Sequence, residues 1–517
     1  MPPSWAGARR SARMFVALCV AALLCACAVG APGPEHHTAS YALADSAATA
    51  LGRRFDVEAQ RHPGLSGFDL VTSGREAFDV RYALAQRTID VQYYIWESDG
   101  AGRNLLAALI AAVDRGVRVR MLLDDLSLEG RDDGLAVLNA HPNIRVRLFN
   151  PFQARTDHLV DFLFDFERVN HRMHNKALIV DNAVAVVGGR NIGDAYFSAN
   201  DQSNFRDIDL LAAGPVVHQI SADFDAFWNS VWSRSIRRFG HGRPNAEEIR
   251  DFVDRLHRHI AADHAFPFAA DLDEAKPDDI VRRVPARLIW GKARILADLP
   301  NKPETSEPEI VEALRADVGP TLRHDLLLES AYFIPPGSAT AHLCALVNRG
   351  VRVRVLTNSA ATNDEPTAFA GYAKHREALL RCGIELYERR PDAGFVRHEW
   401  TWLRNRSTAA LHTKAAVFDR DKVLIGSFNL DPRSAKLNTE LALLVDSRQL
   451  ADKVAAFIET EMEPGNAYQL QLDAKGNVTW LARDAGALHR LGEEPYLDFW
   501  RSLEVDLLSL LPIEPLL

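Results

Sequence analysis

The chain repeats one pattern, in HNKALIVDNAVAVVGGRN at residues 174–191 and in HTKAAVFDRDKVLIGSFN at residues 412–429. Each copy begins with His-x-Lys-x4-Asp, continues through apolar residues and ends in an asparagine, and the two copies lie 238 residues apart. Further upstream, AAVDRGVRVR at 111–120 returns as ALVNRGVRVR at 345–354. A period of this length indicates a duplicated domain rather than a solenoid of short repeats.

The sequence before each motif predicts a strand–helix–strand unit. Apolar strands are predicted at 89–96 and 326–334, and each is followed by a helix, a glycine that ends the helix and an alternating strand. Such an order favours parallel pairing. We therefore expect an α/β fold of two homologous domains, each a mixed, mostly parallel sheet flanked by helices.

Composition restricts the class of protein. The 517 residues suffice for two or three domains, and 47% hydrophobic with 25% charged residues is average globular usage. The formal net charge of −9 argues against bulk nucleic-acid binding, which needs a basic face. The composition therefore predicts a globular protein with substantial cores and no nucleic-acid partner.

The N-terminus predicts an export signal. Three arginines within residues 9–13 precede an apolar run at 14–24 that is too short to span a bilayer. The following Leu24-Cys25-Ala26-Cys27 resembles the bacterial lipobox, so residues 1–27 are interpreted as a lipoprotein signal peptide in which Cys27 carries the lipid. An uncleaved anchor or an ordinary signal is the alternative. Residues 28–60 are expected to be a tether, and the protein to be lipid-anchored on the periplasmic side of the bacterial envelope, with outer-membrane sorting suggested by Ala28.

Cysteine usage predicts no disulfide framework. Only Cys27, Cys344 and Cys382 remain after the predicted cleavage. Because Cys344 and Cys382 lie in apolar contexts, we expect two buried thiols.

The motif spacing predicts which side chains share a ligand. His174 and Lys176 are two residues apart and project from one face of a strand, as do His412 and Lys414. Asp181 and its counterpart Asp419 complete the motif at an odd spacing, on the opposite face and about 23 Å along an extended chain. The two aspartates are therefore expected to be structural turn residues.

An anion suits this site better than a metal does. A lysine beside each histidine repels a cation, and no cysteine or carboxylate completes a zinc ligand set at useful spacing. Lysine binds phosphate as a point charge, and the amides of Asn191 and Asn429 can donate to phosphate oxygens. The alternative of an ordinary buried histidine loses weight because the pattern is duplicated. We predict a phosphate site without metal.

The duplicated motif resembles the signature of the phospholipase D superfamily, and the resemblance runs from about residue 60 to the C-terminus. HRMHNK at 171–176, GSFNLDPRS at 426–434 and NTE at 438–440 are similar to bacterial cardiolipin synthases, particularly the C type. The resemblance implies two phospholipase D-like domains packed about a pseudo-twofold axis, with both His-Lys pairs facing one phosphate. We place the domains at 61–240 and 321–517, joined by a connection at 241–320.

The resemblance also implies roles for the site residues. His174 is the expected nucleophile, which forms a phosphohistidine, and His412 the general acid and base, although the symmetry leaves the reverse assignment open. No cofactor is required. Glu440 and Asp209 match the family carboxylates that orient the histidines, with Asp207 competing with Asp209 because the two halves are spaced differently. Ser427, replaced by glycine in the first half, is expected to contact the phosphate.

The expected reaction is transfer of a phosphatidyl group from phosphatidylglycerol, or another phospholipid, to form cardiolipin at a membrane surface. Hydrolysis to phosphatidic acid uses the same residues and is the alternative. A nuclease is disfavoured by the acidic charge, and a silent binding module by the intact motifs. Apolar segments at 159–166 and 400–402 could seat acyl chains at a membrane or could be ordinary core.

Overall fold

The computed structural model describes residues 38–82, 87–240, 242–264, 266–268, 284–393, 408–484, 486–497, 507–508 and 514–517. The predicted signal peptide with Cys27 lies outside these residues, as does the apolar segment at 400–402. Within the described part of the chain, no helix combines the length and apolar character needed to cross a bilayer.

The first half alternates strands and helices. Its strands are β1 (Ser66–Val71), β2 (Thr88–Tyr93), β3 (Arg118–Asp124), β4 (Ile144–Phe149), β5 (Ala177–Val180), β6 (Val184–Gly188), β7 (Ser203–Arg206), β8 (Asp209–Ala213) and β9 (Ser233–Ser235). Its helices are α1 (Ala50–Gln60), α2 (Gly74–Tyr82), α3 (Gly100–Asp114), α4 (Asp132–Ala140), α5 (His158–Phe164), α6 (Phe166–Val169) and α7 (Pro215–Trp228).

The connection at 241–320 contains regular elements of its own. They are α8 (Ala246–Ala262), β10 (Ile289–Ala297), α9 (Lys302–Thr305) and α10 (Glu309–Val318). The strand β10 pairs with β1. The segment therefore contributes to the sheet rather than only linking two domains.

The second half repeats the order of the first. Its strands are β11 (Asp325–Ser330), β12 (Arg352–Asn358), β13 (Glu385–Arg389), β14 (Thr408–Leu411), β15 (Lys414–Phe418), β16 (Lys422–Gly426), β17 (Leu441–Asp446), β18 (Ala467–Leu472), β19 (Val478–Asp484) and β20 (Ala487–Leu491). Its helices are α11 (Gly337–Asn348), α12 (Pro366–Ala373), α13 (Arg376–Arg381), α14 (Pro432–Lys436) and α15 (Arg448–Glu461).

One 18-stranded sheet runs through both halves. Its order is β9-β4-β3-β2-β5-β6-β8-β1-β10-β17-β16-β15-β11-β12-β13-β18-β19-β20. The order of the second half reverses that of the first about the β1–β10 pair, as expected for halves related by a pseudo-twofold axis.

The repeated helix–strand units end their helices in the same way. Gly116 and Gly350 have φ of +94° and +88°, the left-handed conformation that glycine adopts at low cost. In each unit the next valine N–H returns to the carbonyl of the last helical turn, from Val117 to Ala112 and from Val351 to Leu346. This is the Schellman arrangement, and it turns the chain directly into β3 and β12.

A shared hydrophobic core holds the two halves together. It packs α7 and α15 against the same side of the sheet, with Phe224 and Trp228 from the first half and Val454 and Ile458 from the second. Separate cores lie on the other side of each half. Because the shared core is fully buried, the two copies of the motif are fixed relative to each other.

The predicted α/β class with two homologous halves is confirmed, but the sheet is less parallel than expected. Parallel pairs within it occur in β2–β3–β4 and β11–β12–β13. The other pairs are antiparallel, and among them β5–β6 and β15–β16 are hairpins that close through tight turns at Asp181 and Asp419.

The expectation of two separate buried thiols is wrong. Cys344, on α11, and Cys382, directly after α13, form a disulfide across 38 residues, with Cα atoms 5.5 Å apart. The packing of the two helices against one another brings these residues together, and no local sequence signal marks that contact.

We predict that Cys344→Ser lowers the free energy of unfolding by about 2–4 kcal/mol, because the unfolded chain gains the freedom of the opened loop. Denaturant unfolding of the oxidised protein and of Cys344→Ser measures the difference, with Cys382→Ser as the matched partner. Equal stability of all three proteins would contradict a formed disulfide.

Candidate active site

The two motifs enter the sheet at equivalent places. His174 lies three residues before β5, and His412 two residues before β15. His174 and His412 are 7% and 5% exposed, and Lys176 and Lys414 are 1% and 3% exposed. Four ionisable side chains are therefore almost completely removed from water.

His174 is held by a carboxylate from the other half. Its Nδ1 lies 2.9 and 3.0 Å from the two carboxylate oxygens of Glu440. Backbone pairing enforces the contact, since the His174 N–H donates to the Thr439 carbonyl and the Thr439 N–H to the Arg172 carbonyl. Because a carboxylate accepts, Nδ1 carries the proton and Nε2 presents its lone pair.

His412 is held by the reciprocal contact. Its Nδ1 lies 2.7 Å from Oδ2 of Asp207. Here β7 and β14 pair in parallel, with Leu411 opposite Arg206, and the His412 N–H donates to the Arg206 carbonyl. Each half therefore supplies the carboxylate for the histidine of the other.

The two lysines close the same site. Nζ of Lys176 donates to the carbonyl oxygen of His174 at 2.6 Å, and Nζ of Lys414 donates to that of His412 in the same way. Lys176 also lies 5.3 Å from the ring centroid of Tyr94, a cation–π contact. Both ammonium groups therefore stay beside their histidines and can receive an anion.

Burial favours the neutral form of both histidines. It holds the pKa of His174 and of His412 well below the usual value, and Lys176 and Lys414 add to the effect on each. Because both lysines lower the pKa of each histidine, the two motifs form one electrostatic site. A neutral imidazole has the free lone pair that a nucleophile needs.

The orienting carboxylates shift in the opposite direction. Burial raises the pKa of Glu440 to about 7 and that of Asp207 to about 6, opposed chiefly by Lys176 and Lys414 respectively. Burial also lowers the pKa of Lys176 and of Lys414, opposed chiefly by Glu440 and Asp207 respectively. The site therefore pairs two buried lysines with two buried carboxylates, and the histidines are neutral.

The two asparagines predicted to contact phosphate differ in their hydrogen bonds. Asn191 donates from Nδ2 to the Tyr196 hydroxyl at 2.9 Å and accepts the Ile95 N–H at Oδ1, so its amide is engaged within the first half. Oδ1 of the buried Asn429 has no partner among the described residues, and this oxygen can only accept. The Ser427 hydroxyl donates to Glu440 at 2.5 Å and accepts from the Leu441 N–H. Ser427 therefore supports the orienting carboxylate, and its predicted phosphate contact stays a prediction.

Asp181 and Asp419 lie at the far end of the motif strands. Asp181 accepts from the N–H groups of Arg87 and Thr88, each at 2.8 Å. Asp419 accepts from the N–H groups of residues 323–325, at 2.6 to 2.9 Å. Both have left-handed backbones in the turns after β5 and β15, with φ of +53° and +49°. The structure thus gives these residues a structural role, and neither contacts a motif histidine.

The orienting role predicted for Asp209 is wrong. Its Oδ2 accepts from Arg81 at 2.9 Å and from Arg190 at 3.0 Å, and all three side chains are buried. Asp207, two residues earlier, takes the expected role. Asp209 instead forms ion pairs with two buried arginines in the first half.

Aromatic side chains line the site and were not predicted. The ring of Tyr94 meets His174 edge-on at 5.0 Å, and the ring of Tyr196 meets His412 edge-on at 5.1 Å. Phe205 also lies 5.1 Å from His412. Tyr94 directly follows β2, the strand that pairs with the motif strand β5, so its position at the end of a predicted strand was the available signal.

The residues together define a class of enzyme. Two buried imidazoles, each oriented by a carboxylate and flanked by a lysine, can perform nucleophilic and acid–base chemistry on a phosphodiester. Among the described residues, no cluster of three or more His, Cys, Asp or Glu is placed to hold a metal ion. The arrangement fits a phosphoryl-transfer enzyme in which paired histidines carry the chemistry.

Comparison with known proteins identifies the family. The family model described as cardiolipin synthase, PLD-like domain, matches residues 82–228 and 323–462, one copy in each half. The chain belongs to this family, and it is a phosphatidyltransferase of the phospholipase D superfamily.

Individual relatives agree. The chain is 40% identical over 481 residues to cardiolipin synthase C of Escherichia coli strain K12, covering 88% of this chain and 97% of that protein. It is 31% identical to an uncharacterized protein of Helicobacter pylori strain J99, over 90% of this chain and 93% of that protein. The crystal structure of phosphatidylserine synthase from Haemophilus influenzae Rd KW20 has the same fold, with a TM-score of 0.51 and 14% identity over 81% of this chain and 92% of that one.

We predict opposite outcomes for the two neighbouring aspartates. Asp207→Asn should lower kcat about 100-fold with stability retained, because His412 loses its carboxylate partner. Asp209→Asn should lower the free energy of unfolding by about 3 kcal/mol, because Arg81 and Arg190 lose their buried counter-charge. Activity assays and denaturant unfolding on both variants separate the roles, and a greater kcat loss in folded Asp209→Asn would contradict the assignment.

Proposed function

We propose that the protein transfers a phosphatidyl group between two molecules of phosphatidylglycerol, forming cardiolipin and releasing glycerol. The observation that carries the proposal is the pair of neutral, buried histidines, each held through Nδ1 by a carboxylate of the other half. Both imidazoles present Nε2 to one site, which suits a two-step displacement at phosphorus.

In the first step His174 acts as the nucleophile. Its Nε2 attacks phosphorus, a P–N bond forms, and the bond from phosphorus to the glycerol oxygen breaks. His412 donates its Nε2 proton to that oxygen, and glycerol leaves. The negative charge of the bound phosphodiester favours the protonated form of His412, which Asp207 stabilises through Nδ1.

The second step reverses the first with a different alcohol. The glycerol hydroxyl of the second phosphatidylglycerol gives its proton to His412 and attacks phosphorus. The P–N bond breaks, and His174 returns to its neutral form with Nδ1 still donating to Glu440. Lys176 and Lys414 balance the charge on the phosphoryl oxygens in both steps.

The proposal predicts cardiolipin as the product. The lipid-free protein is incubated with phosphatidylglycerol vesicles, and lipids are identified by mass spectrometry. His174→Ala and His412→Ala should each lower activity by at least 1,000-fold. The first variant lacks the nucleophile and the second lacks the general acid and base, and the reaction needs both. His257→Ala, an exposed histidine on α8, is the matched control.

The intermediate has its own measurement. Rapid alkaline quenching followed by peptide mass spectrometry should find a phosphatidyl group on the peptide that contains His174. Phosphatidic acid without cardiolipin would make the enzyme a hydrolase, and a modified His412 would exchange the two histidine roles. No lipid product from folded protein would refute phosphatidyl transfer.

The reaction requires that the enzyme contact a lipid surface. Exposed apolar side chains on α5 and α6 support such a contact. Leu159, Leu163 and Phe164 are 62%, 69% and 64% exposed, and Val160 and Phe166 are also exposed. Contiguous exposed apolar side chains of this kind are typical of a helix that lies in a membrane interface. The chain leads from this patch directly to His174.

The location that we propose is the exported side of the bacterial envelope, with the protein lipid-anchored at Cys27. The Cys344–Cys382 disulfide supports export, since such bonds persist in oxidising compartments. Outer-membrane sorting, from Ala28, belongs to the same proposal.

We predict that Leu163→Glu with Phe164→Glu weakens binding of the lipid-free protein to phosphatidylglycerol vesicles about tenfold, because two apolar contacts are replaced by charges. Leu488→Glu with Leu491→Glu, two exposed leucines on β20, is the matched control. Vesicle sedimentation measures both, and equal binding would contradict the interface.

Fractionation of cells that express full-length Cys27→Ser tests the lipid anchor.

A further inference from the structure

The second half contains an apolar cavity of about 330 Å³. It lies between the sheet strands β11, β15, β16 and β17 on one side and the helices α10 and α11 on the other. Its walls are largely aliphatic and aromatic, and they include Leu314, Leu328, Leu343, Phe418 and Leu424. An apolar cavity of about 150 Å³ is already large enough to hold benzene, so this one can hold a longer hydrocarbon.

The cavity reaches the catalytic lysine of the second half. Lys414, Ala416 and Phe418 are alternate residues of β15, so they share one face of the strand, and all three line the cavity. The cavity therefore begins beside the catalytic lysine and follows the strand away from it. Its other rim lies between the two helices, where Arg315 and His342 are exposed.

The equivalent space in the first half is filled. There Arg81 donates to the Tyr93 hydroxyl and to Asp209, and Arg190 donates to Asp209, all buried. This polar cluster occupies the space between the sheet and α2.

Each member of that cluster has a smaller or apolar counterpart in the second half. In the sheet registers, Gly188 pairs with Asp209, and Gly426 pairs with Ala442. By position in the repeat, Arg81 corresponds to Val318, Tyr93 to Ser330 and Arg190 to Phe428. All three second-half residues line the cavity, as does Ala442. The cavity therefore exists because the second half lacks the ion-pair cluster.

We propose that this cavity binds one hydrocarbon chain of the phospholipid donor while its phosphate lies between the two histidines. The proposal rests on the proposed function for the identity of the lipid. A chain joined to a phosphate at Lys414 has an apolar path along Ala416 and Phe418, and each buried methylene strengthens binding by about fourfold. The charged cluster of the first half excludes a second chain at the equivalent place.

The test compares short-chain donors in solution. Kinetics are measured with monomeric dihexanoyl and dioctanoyl phosphatidylglycerol, whose chains differ by two methylenes. For the unaltered protein, kcat/KM should be about 15-fold higher for the octanoyl lipid. Ala339→Trp, which fills the cavity from α11, should reduce this ratio to below threefold. Ala341→Trp, an exposed alanine of the same helix outside the cavity, should leave it unchanged.

A second variant and a second measurement keep the outcome clear if Ala339→Trp does not fold. Val311→Trp fills the cavity from α10 and should lower the same ratio. Independently, a phosphatidylglycerol with a diazirine on one chain is photolysed with His174→Ala, and the crosslinked peptides are mapped. Crosslinks to residues 309–318 and 337–348 are expected.

The outcomes separate this proposal from the proposed function. An unchanged chain-length ratio in the folded cavity variants, or crosslinks confined to other segments, would overturn the cavity assignment even if cardiolipin is formed. If no donor is converted, the proposed function fails, and the crosslinking map alone decides. Crosslinks in the cavity that Ala339→Trp abolishes and Ala341→Trp retains would then support it.

Discussion

The reciprocal exchange of carboxylates between the halves is the contact on which the site depends. Nδ1 of His174 contacts the carboxylate of Glu440, and Nδ1 of His412 contacts the carboxylate of Asp207, each at less than 3.1 Å. Short backbone pairs, Met173 with Thr439 and β7 with β14, set these distances. Neither half alone has an oriented histidine, so the continuous sheet through β1 and β10 and the shared core are requirements of the chemistry as well as of the fold.

The same contact resolves the cost of burying so many ionisable groups. Each carboxylate opposes the effect of burial on the pKa of the lysines, and burial drives the histidines to their neutral forms. A phosphodiester brings one negative charge into this balanced site, and a single proton on one imidazole restores the balance. The site is thus prepared to hold one neutral and one protonated histidine only when substrate is bound, which is the state that nucleophile and general acid require.

The sequence was sufficient for the architecture and for the reacting residues, because both were written twice in the chain. It failed where a role depends on strand register. The resemblance matched Asp209 to the orienting carboxylate, whereas counting from the pairing partner of the motif glycine makes Asp209 equivalent to Ala442 and Asp207 equivalent to Glu440. The Ser427–Glu440 contact likewise depends on the register of β16 against β17, and the Cys344–Cys382 disulfide depends on the packing of two helices, which no local pattern encodes.

Duplication explains the symmetry of the chemistry, and divergence explains why the symmetry is incomplete. The histidines, lysines and carboxylates must act on one phosphorus atom, so both copies keep the same geometry. The layer behind them has no such constraint: the first half fills it with Arg81, Arg190 and Asp209, and the second half leaves it open and apolar. A symmetric centre flanked by a charged wall and an apolar cavity can bind an amphipathic diester in one orientation only. The orientation of the substrate, rather than any difference between the two imidazoles, would then determine which histidine becomes the nucleophile.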